Sequence, residues 1–329
     1  MANKASIKLA GISLLSLVLM LMPAACRSPN FEVSNLTITP AQAVVQETVV
    51  VAVEVANIGN RSGDYNLAVK VDGEEYLNQV VTLAAGASET RSFNVIFREV
   101  GTHHIEIGGL QRDIEVISLE AAWNEVKENM SNIKSFHFAQ GLTVSGPSSI
   151  VFSIWDILEE EITTTYNIVL EGDFLLPDRF KGTMEFFAPP LFTSSEMVII
   201  GNDLYEQVPD GTWRKSVMGA EELSSIYPTR VLEIVSEIED LKWRGMEEIE
   251  GIKCSIIEGS VRPMVALPLL EGEFLGKIRV WFGQEDRMIH RITIESSYAE
   301  EQPTDVYLEA VFTDFDQEIT IEPPAVSSS

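Results

Sequence analysis

The sequence predicts a mainly β protein: a small sandwich of short strands, then a larger curved antiparallel sheet covered by helical segments. Three observations carry this. Residues 31–118 hold about seven short, β-branched runs at roughly ten-residue spacing and no helical stretch, the pattern of an immunoglobulin-like sandwich. Residues 119–134 then repeat apolar side chains at helical spacing. Beyond Lys134 the runs lengthen and alternate apolar with polar, the period of a sheet with one buried face.

The elements follow in order. Phe31, Val33 and Leu36 open the sandwich, and Val49–Val55 reads as its core strand. Asn57-Ile58-Gly59-Asn60 is a turn. Tyr65–Val71 has every odd position apolar and runs into Asp72-Gly73, a hairpin signal. Val80–Leu83, Glu89–Phe97, His103–Ile107 and Asp113–Ile117 complete the set. Leu119, Trp123, Val126, Met130 and Ile133 mark one face of a helix with Ser118 as N-cap.

In the larger sheet, Phe136, Phe138, Leu142 and Val144 share one parity; so do Tyr166, Ile168 and Leu170, and so do Phe180, Met184 and Phe186. Met197–Ile200, Asp203–Val208 and Thr212–Lys215 are tighter strands, the last two joined at Asp210-Gly211. A second helical region is expected over Ala220–Leu241, interrupted at Pro228 and carrying Ile234, Val235, Ile238 and Leu241 on its apolar face. Strands resume at Lys242–Glu248, Ile252–Val261, Lys277–Phe282, Met288–Ser296 and Thr304–Asp314.

Composition narrows the functional classes. The 329 residues hold 50 acidic and 23 basic side chains, a net charge of −27. That balance opposes sequence-independent binding to nucleic acid, which needs Lys and Arg against phosphate, and opposes docking on anionic lipid through a basic patch. Two cysteines make neither a disulfide framework nor a four-cysteine zinc site.

The N-terminus reads as a targeting segment. Lys4 and Lys8 precede an almost wholly apolar run, Leu9–Met22, of signal-peptide length and short for a membrane span. Its removal takes away two lysines and no acid, leaving 21 basic against 50 acidic side chains, a net −29. Pro23-Ala24-Ala25-Cys26 resembles a bacterial lipobox, with Pro23 where the motif usually has Leu. The resemblance implies that Cys26 becomes the mature N-terminus and carries an acyl anchor of the palmitate class. An ordinary secretory signal ending near a cysteine is the competing reading. With Cys26 lipidated, Cys254 has no partner and reads as a small core hydrophobe.

Two further resemblances divide the rest. Phe31–Pro40, the stretch Val51–Gly59 with its Asn57-Ile58-Gly59, Gly63-Asp64-Tyr65, Val71-Asp72-Gly73, Thr82–Gly86 and Val100–His104 resemble the CARDB-type domain, an extracytoplasmic immunoglobulin-like module. Gln46 stands where a glycine is often found. Residues 119–134 with Ser135–Phe138, then Pro177–Gly182, Val198–Tyr205, Gly211-Thr212-Trp213, Ile278–Phe282, Met288–Ile292, Phe312–Phe315 and Ile319–Pro324, resemble the LppX/LprAFG-like lipoproteins of the LolA-like fold. That family implies a half-barrel whose concave face, closed by helices, holds a lipid without a signature residue. Trp155–Glu161 and a loop at Arg262–Leu270 are additions at positions suited to the cavity mouth.

The resulting organisation is a signal peptide over 1–25, a lipidated tether over 26–30, a CARDB/immunoglobulin-like sandwich over 31–118, a half-barrel over 119–322 and a tail over 323–329. The ligand-lining candidates are Phe136, Phe138, Leu142, Val144, Ile168, Leu170, Met184, Phe186, Ile278, Val280, Ile292, Ile294 and Leu308. Each of these is open to two readings, cavity wall or filled core.

No phosphate loop, nucleophile elbow or zinc-protease motif occurs, and no enzyme activity or cofactor is expected. The adjacent pair His103-His104 points to opposite faces of a strand, poor geometry for one metal. His137 has the outward parity and His290 the inward one. Asp314 and Asp316 lack the further spaced oxygens a calcium site needs. The expected function is a membrane-anchored extracytoplasmic lipoprotein that binds a lipid or other amphiphile. The alternatives are a cell-surface structural or protein-binding module without cargo, its partner held through residues 31–118, and an envelope sensor.

Overall fold

The computed structural model describes residues 28–147, 163–219, 235–261, 276–298 and 304–326. By contact density the chain divides into two compact units. Of the described residues, the first takes 28–41, Thr48–Val95 and Gly101–Glu115; the second takes those from Val116 on together with Gln42–Glu47 and Ile96–Val100.

Eight strands form the N-terminal stretch: β1 (Phe31–Thr39), β2 (Gln42–Val44), β3 (Thr48–Asn57), β4 (Gly63–Val71), β5 (Glu74–Leu83), β6 (Ser88–Ile96), β7 (Gly101–Ile107) and β8 (Leu110–Ile117). They make a three-stranded sheet in the order β1-β3-β6 and a five-stranded sheet in the order β2-β8-β7-β4-β5. Strict alternation drives this. In β3, Val49, Val51, Val53 and Val55 are buried while the residues between them are half-buried. Asp72 and Gly73 both adopt positive φ (53° and 85°), the backbone of a two-residue hairpin turn that matches strand twist. Asn57 explains its own motif. Fully buried, it donates to the carbonyls of Arg61 (2.8 Å) and Leu83 (3.1 Å) and accepts from Gly59 N (3.0 Å). Gln46 has φ 73°, the conformation glycine adopts without strain, which is why glycine suits that position.

The second unit is built on α1 (Leu119–Asn132), capped by Ser118 Oγ accepting from Ala121 N at 3.1 Å, and on eleven strands. These are β9 (Ser135–Pro147), β10 (Thr163–Leu175), β11 (Arg179–Ala188), β12 (Leu191–Ile200), β13 (Asp203–Gln207), β14 (Trp213–Val217), β15 (Glu239–Ile249), β16 (Ile252–Val261), β17 (Gly276–Gly283), β18 (Ile289–Tyr298) and β19 (Thr304–Thr313). They form one antiparallel sheet in the order β14-β13-β12-β11-β10-β9-β19-β18-β17-β16-β15, a curled half-barrel. Only β9 and β19 are neighbours distant in sequence. The mainly β class expected from the sequence is the class observed.

Several expectations fall outside the described residues: the signal segment and Cys26, Trp155–Glu161, Arg262–Leu270, and Ala220–Ile234 of the second helical region. The end of that region is corrected. Among the described residues of that region helix is found at Val235 and Ser236, and strand begins at Glu239, not Lys242. The apolar set was read correctly but not its backbone. Val235 joins the core, while Ile238 and Leu241 pack against it, Leu241 from a strand position. A bulge between Glu239 and Lys242, with Asp240 at φ 55°, shifts the register so that a helix-like spacing continues into a strand.

Candidate functional site

The strand registers resolve the inner face of the large sheet into rows. At one end lie Phe136, Phe174 and Phe180, then Phe138, Phe312, Gly172 and Gly182. All five phenylalanines are fully buried. Their rings meet in tilted and edge geometries: 5.4 Å from Phe136 to Phe174, 5.7 Å to Phe312, and 5.7 Å from Phe138 to Phe180. The glycine pair makes room for this. A Cβ on Gly172 or Gly182 would lie against opposing backbone and the Phe180 ring.

The face of α1 closes the same end of the sheet. Trp123 packs on Phe282 at 6.4 Å, and Val126, Met130 and Ile133 join the cluster. A buried polar group completes it. Glu47, on the segment that belongs to this unit, accepts hydrogen bonds from Val44 N (2.6 Å), Ser255 Oγ (2.8 Å) and Gln284 Nε2. Arg287 lays its guanidinium 5.8 Å over Phe282 and reaches Glu125 at 3.6 Å.

One step along comes Gln140, between Leu170 and Ala310, with Met184, Ile292, Val280 and Ile257 continuing the row. The next row is wholly apolar across six strands: Phe186, Ile168, Leu142, Leu308, Ile294 and Ile278. At ~4.8 Å per strand it spans roughly 24 Å. Val144, Tyr166 and Val306 follow at the end of the sheet. All thirteen candidates therefore lie on one face. Phe136, Phe138, Leu142, Val144, Leu170, Ile278, Val280, Ile292, Ile294 and Leu308 are buried in a single cluster, and Ile168 and Met184 pack against it half-buried. Phe186 is half-buried and stacks on Tyr166 at 6.4 Å.

Strand parity would also have found Phe174, Phe312, Val306 and Ala310; it could not have found Glu47, whose side-chain partners Ser255 and Gln284 are more than 200 residues away.

The outer face carries charge. Glu258, nearly buried, is bound by Arg244 (2.7 Å), Lys277 (2.9 Å) and Arg279 (2.9 Å). Burial pushes its carboxyl upward, but the hydrogen bonds from those three cations outweigh that and hold it down at about 2. The histidines each meet a carboxylate. His103 Nδ1 lies 2.7 Å from Asp72, His104 Nδ1 2.6 Å from Asp113, His137 Nδ1 2.9 Å from Asp173 and the buried His290 Nε2 2.9 Å from Asp286. The imidazoles of His103 and His104 thus pair with different acids. Among the described residues no group of three or more His, Cys, Asp or Glu side chains is placed to hold a metal. Cys254 is buried, and burial first, then Asp286 and Glu247, push its thiol up to about 12, leaving no thiolate at neutral pH. Among the described residues no helix is long and apolar enough to cross a membrane.

LprF from Mycobacterium bovis is similar to the chain at 12% identity and a TM-score of 0.40, over 63% of this chain and 96% of that one. The lipoprotein LppX from Mycobacterium tuberculosis is similar at 15% identity and a TM-score of 0.40, over 62% of this chain and the whole of that one. A LolA superfamily protein from Nitrosomonas europaea is similar at 9% identity and a TM-score of 0.22, over 62% and 95% of the two chains. No curated protein sequence matches the chain. Residues 28–108 match the CARDB family model, so the resemblance read around Phe31–Pro40 and Asn57–Gly59 is borne out, and the chain carries a CARDB domain there.

Proposed function

We propose that the protein is a lipid-anchored, extracytoplasmic carrier of an acyl lipid. In this reading residues 1–25 direct export and Cys26 carries the anchor. Residues 31–118 act as a spacer or partner-binding sandwich, and residues 119–322 take up the lipid against the inner face of the large sheet.

The observation that carries it is the six-residue apolar row. It is continuous across β11, β10, β9, β19, β18 and β17, and it passes from fully buried at Ile278 to half-buried at Ile168 and Phe186. Where the row becomes half-buried, on β10 and β11, it offers an accessible wall for an acyl chain. Burying a CH₂ is worth ~0.8 kcal/mol, so a ~14-carbon chain would supply roughly 11 kcal/mol before ordering costs. Gln140 is the polar side chain on this face of β9, one step inside the row, and its amide suits an ester carbonyl or head-group hydroxyl.

Native mass spectrometry of the purified protein, followed by solvent extraction, tests the reading. A co-purifying acyl lipid is the expected result. A ligand-free protein that also refuses fluorescent fatty acids would overturn it and leave the structural module standing.

A further inference from the structure

The hairpin joining β11 to β12 has a composition unlike the rest of this acidic chain. From Phe186 to Ser195, ten residues, no side chain is ionisable, and the tip reads Phe187-Ala188-Pro189-Pro190-Leu191-Phe192. Phe187 is 44% exposed, Leu191 46% and Phe192 61%, and both prolines are exposed.

Three features select what such a tip meets. First, its apolar surface is two-sided. Phe187 and Phe192 are cross-strand partners on the outer face, while Leu191, partner of Ala188, lies on the other. A groove in a protein covers one side of a hairpin; a fluid apolar phase surrounds it. Second, the ladder runs unbroken to Ala188↔Leu191, and the two turn residues are prolines, which have no N–H. The tip therefore takes few unpaired backbone donors with it into a medium that cannot satisfy them. Third, the flanking charges are Glu185 and Glu196. Glu185 stands four residues from Pro189, so at ~3.3 Å per residue the uncharged part reaches ~13 Å, less than half the ~30 Å hydrocarbon core. Both flanking charges are acids, which favours zwitterionic over anionic head groups.

We infer that this hairpin tip inserts into the outer part of a zwitterionic phospholipid bilayer. The insertion gives the second unit a membrane contact of its own, independent of any anchor at Cys26. The inference does not rest on lipid carriage: Phe186, at the base of the tip, faces the inner row, but the tip itself is a surface feature.

The test uses the full chain reconstituted into phosphatidylcholine vesicles, with Phe192→Trp as the reporter. Val217→Trp is the control, because Val217 is 72% exposed on β14 and its register partner Asp203 lies beyond the opposite end of β12. Replacing the lipid with its dibromo analogue is expected to remove the emission added by Phe192→Trp and to leave that of Val217→Trp. Adding Leu191→Asp to Phe192→Trp should restore the emission, with far-ultraviolet circular dichroism unchanged. Equal emission from the Phe192→Trp protein in both lipids, as a tip held in water or in a protein groove would give, overturns the inference. Extracted cargo is not part of this readout, so tip insertion and lipid carriage fail separately.

Discussion

The two ends of the large sheet's inner face are made of different material. At one end, five phenylalanines are packed to zero or near-zero exposure around a glycine pair and beneath the apolar face of α1. Farther along, the same strands present Ile168, Met184 and Phe186, which remain half-buried. One end is fixed by shape. The other is left apolar and incompletely covered, while across the sheet β15, β16 and β17 are tied from outside by the ions around Glu258.

The largest expected break in that comparison is Phe138→Ala. Its ring contacts Phe136 and Phe180, and the gap cannot collapse across the Gly172–Gly182 pair, so unfolding stability should fall by about 3–5 kcal/mol in urea titration. Ile168→Trp tests the open end. A half-buried position tolerates the larger ring, so stability should hold, while uptake of a fluorescent fatty acid should weaken at least tenfold, about 1.4 kcal/mol. Equal stability losses at the two positions would show that the ends are alike.

Acid should act on the ionic tie. Glu258's carboxyl is held at about 2 in the fold against 4.5 as its ordinary value. The unfolded chain therefore binds more protons there as pH drops below about 4.5, and stability should fall progressively from that pH towards 2. Glu258→Gln should flatten this acid loss. At neutral pH it should cost only about 1 kcal/mol, since the three cations are nearly half exposed. The smallest effect is expected at Gln140→Leu. It should change stability by no more than about 0.5 kcal/mol and weaken ligands with a polar head group more than free alkanes in competition assays.

Much of this was legible in the residues. Period-two alternation put all thirteen candidates on one face, because a β side chain has only two directions. Ser118 and the 119–133 stripe gave α1 almost to the residue. Legibility stopped where partners were distant or periods overlapped. Ile238 and Leu241 kept a helical spacing through a bulge into a strand, and nothing local distinguishes that from a helix. Parity also ranked Phe136 and Phe186 equally, although one is fully buried and the other half-buried.

The sequence by itself determined the class of fold, the facing of each strand and the CARDB-like turns, since these depend on neighbours within a few residues. Tertiary structure alone decided the rows, the burial of Glu47 between Ser255 and Gln284, and the tightness of the Gly172–Gly182 crossing. The reason is register. Which residue stands beside which across strands is fixed only when β19 closes on β9 and every strand's position is set against all the others.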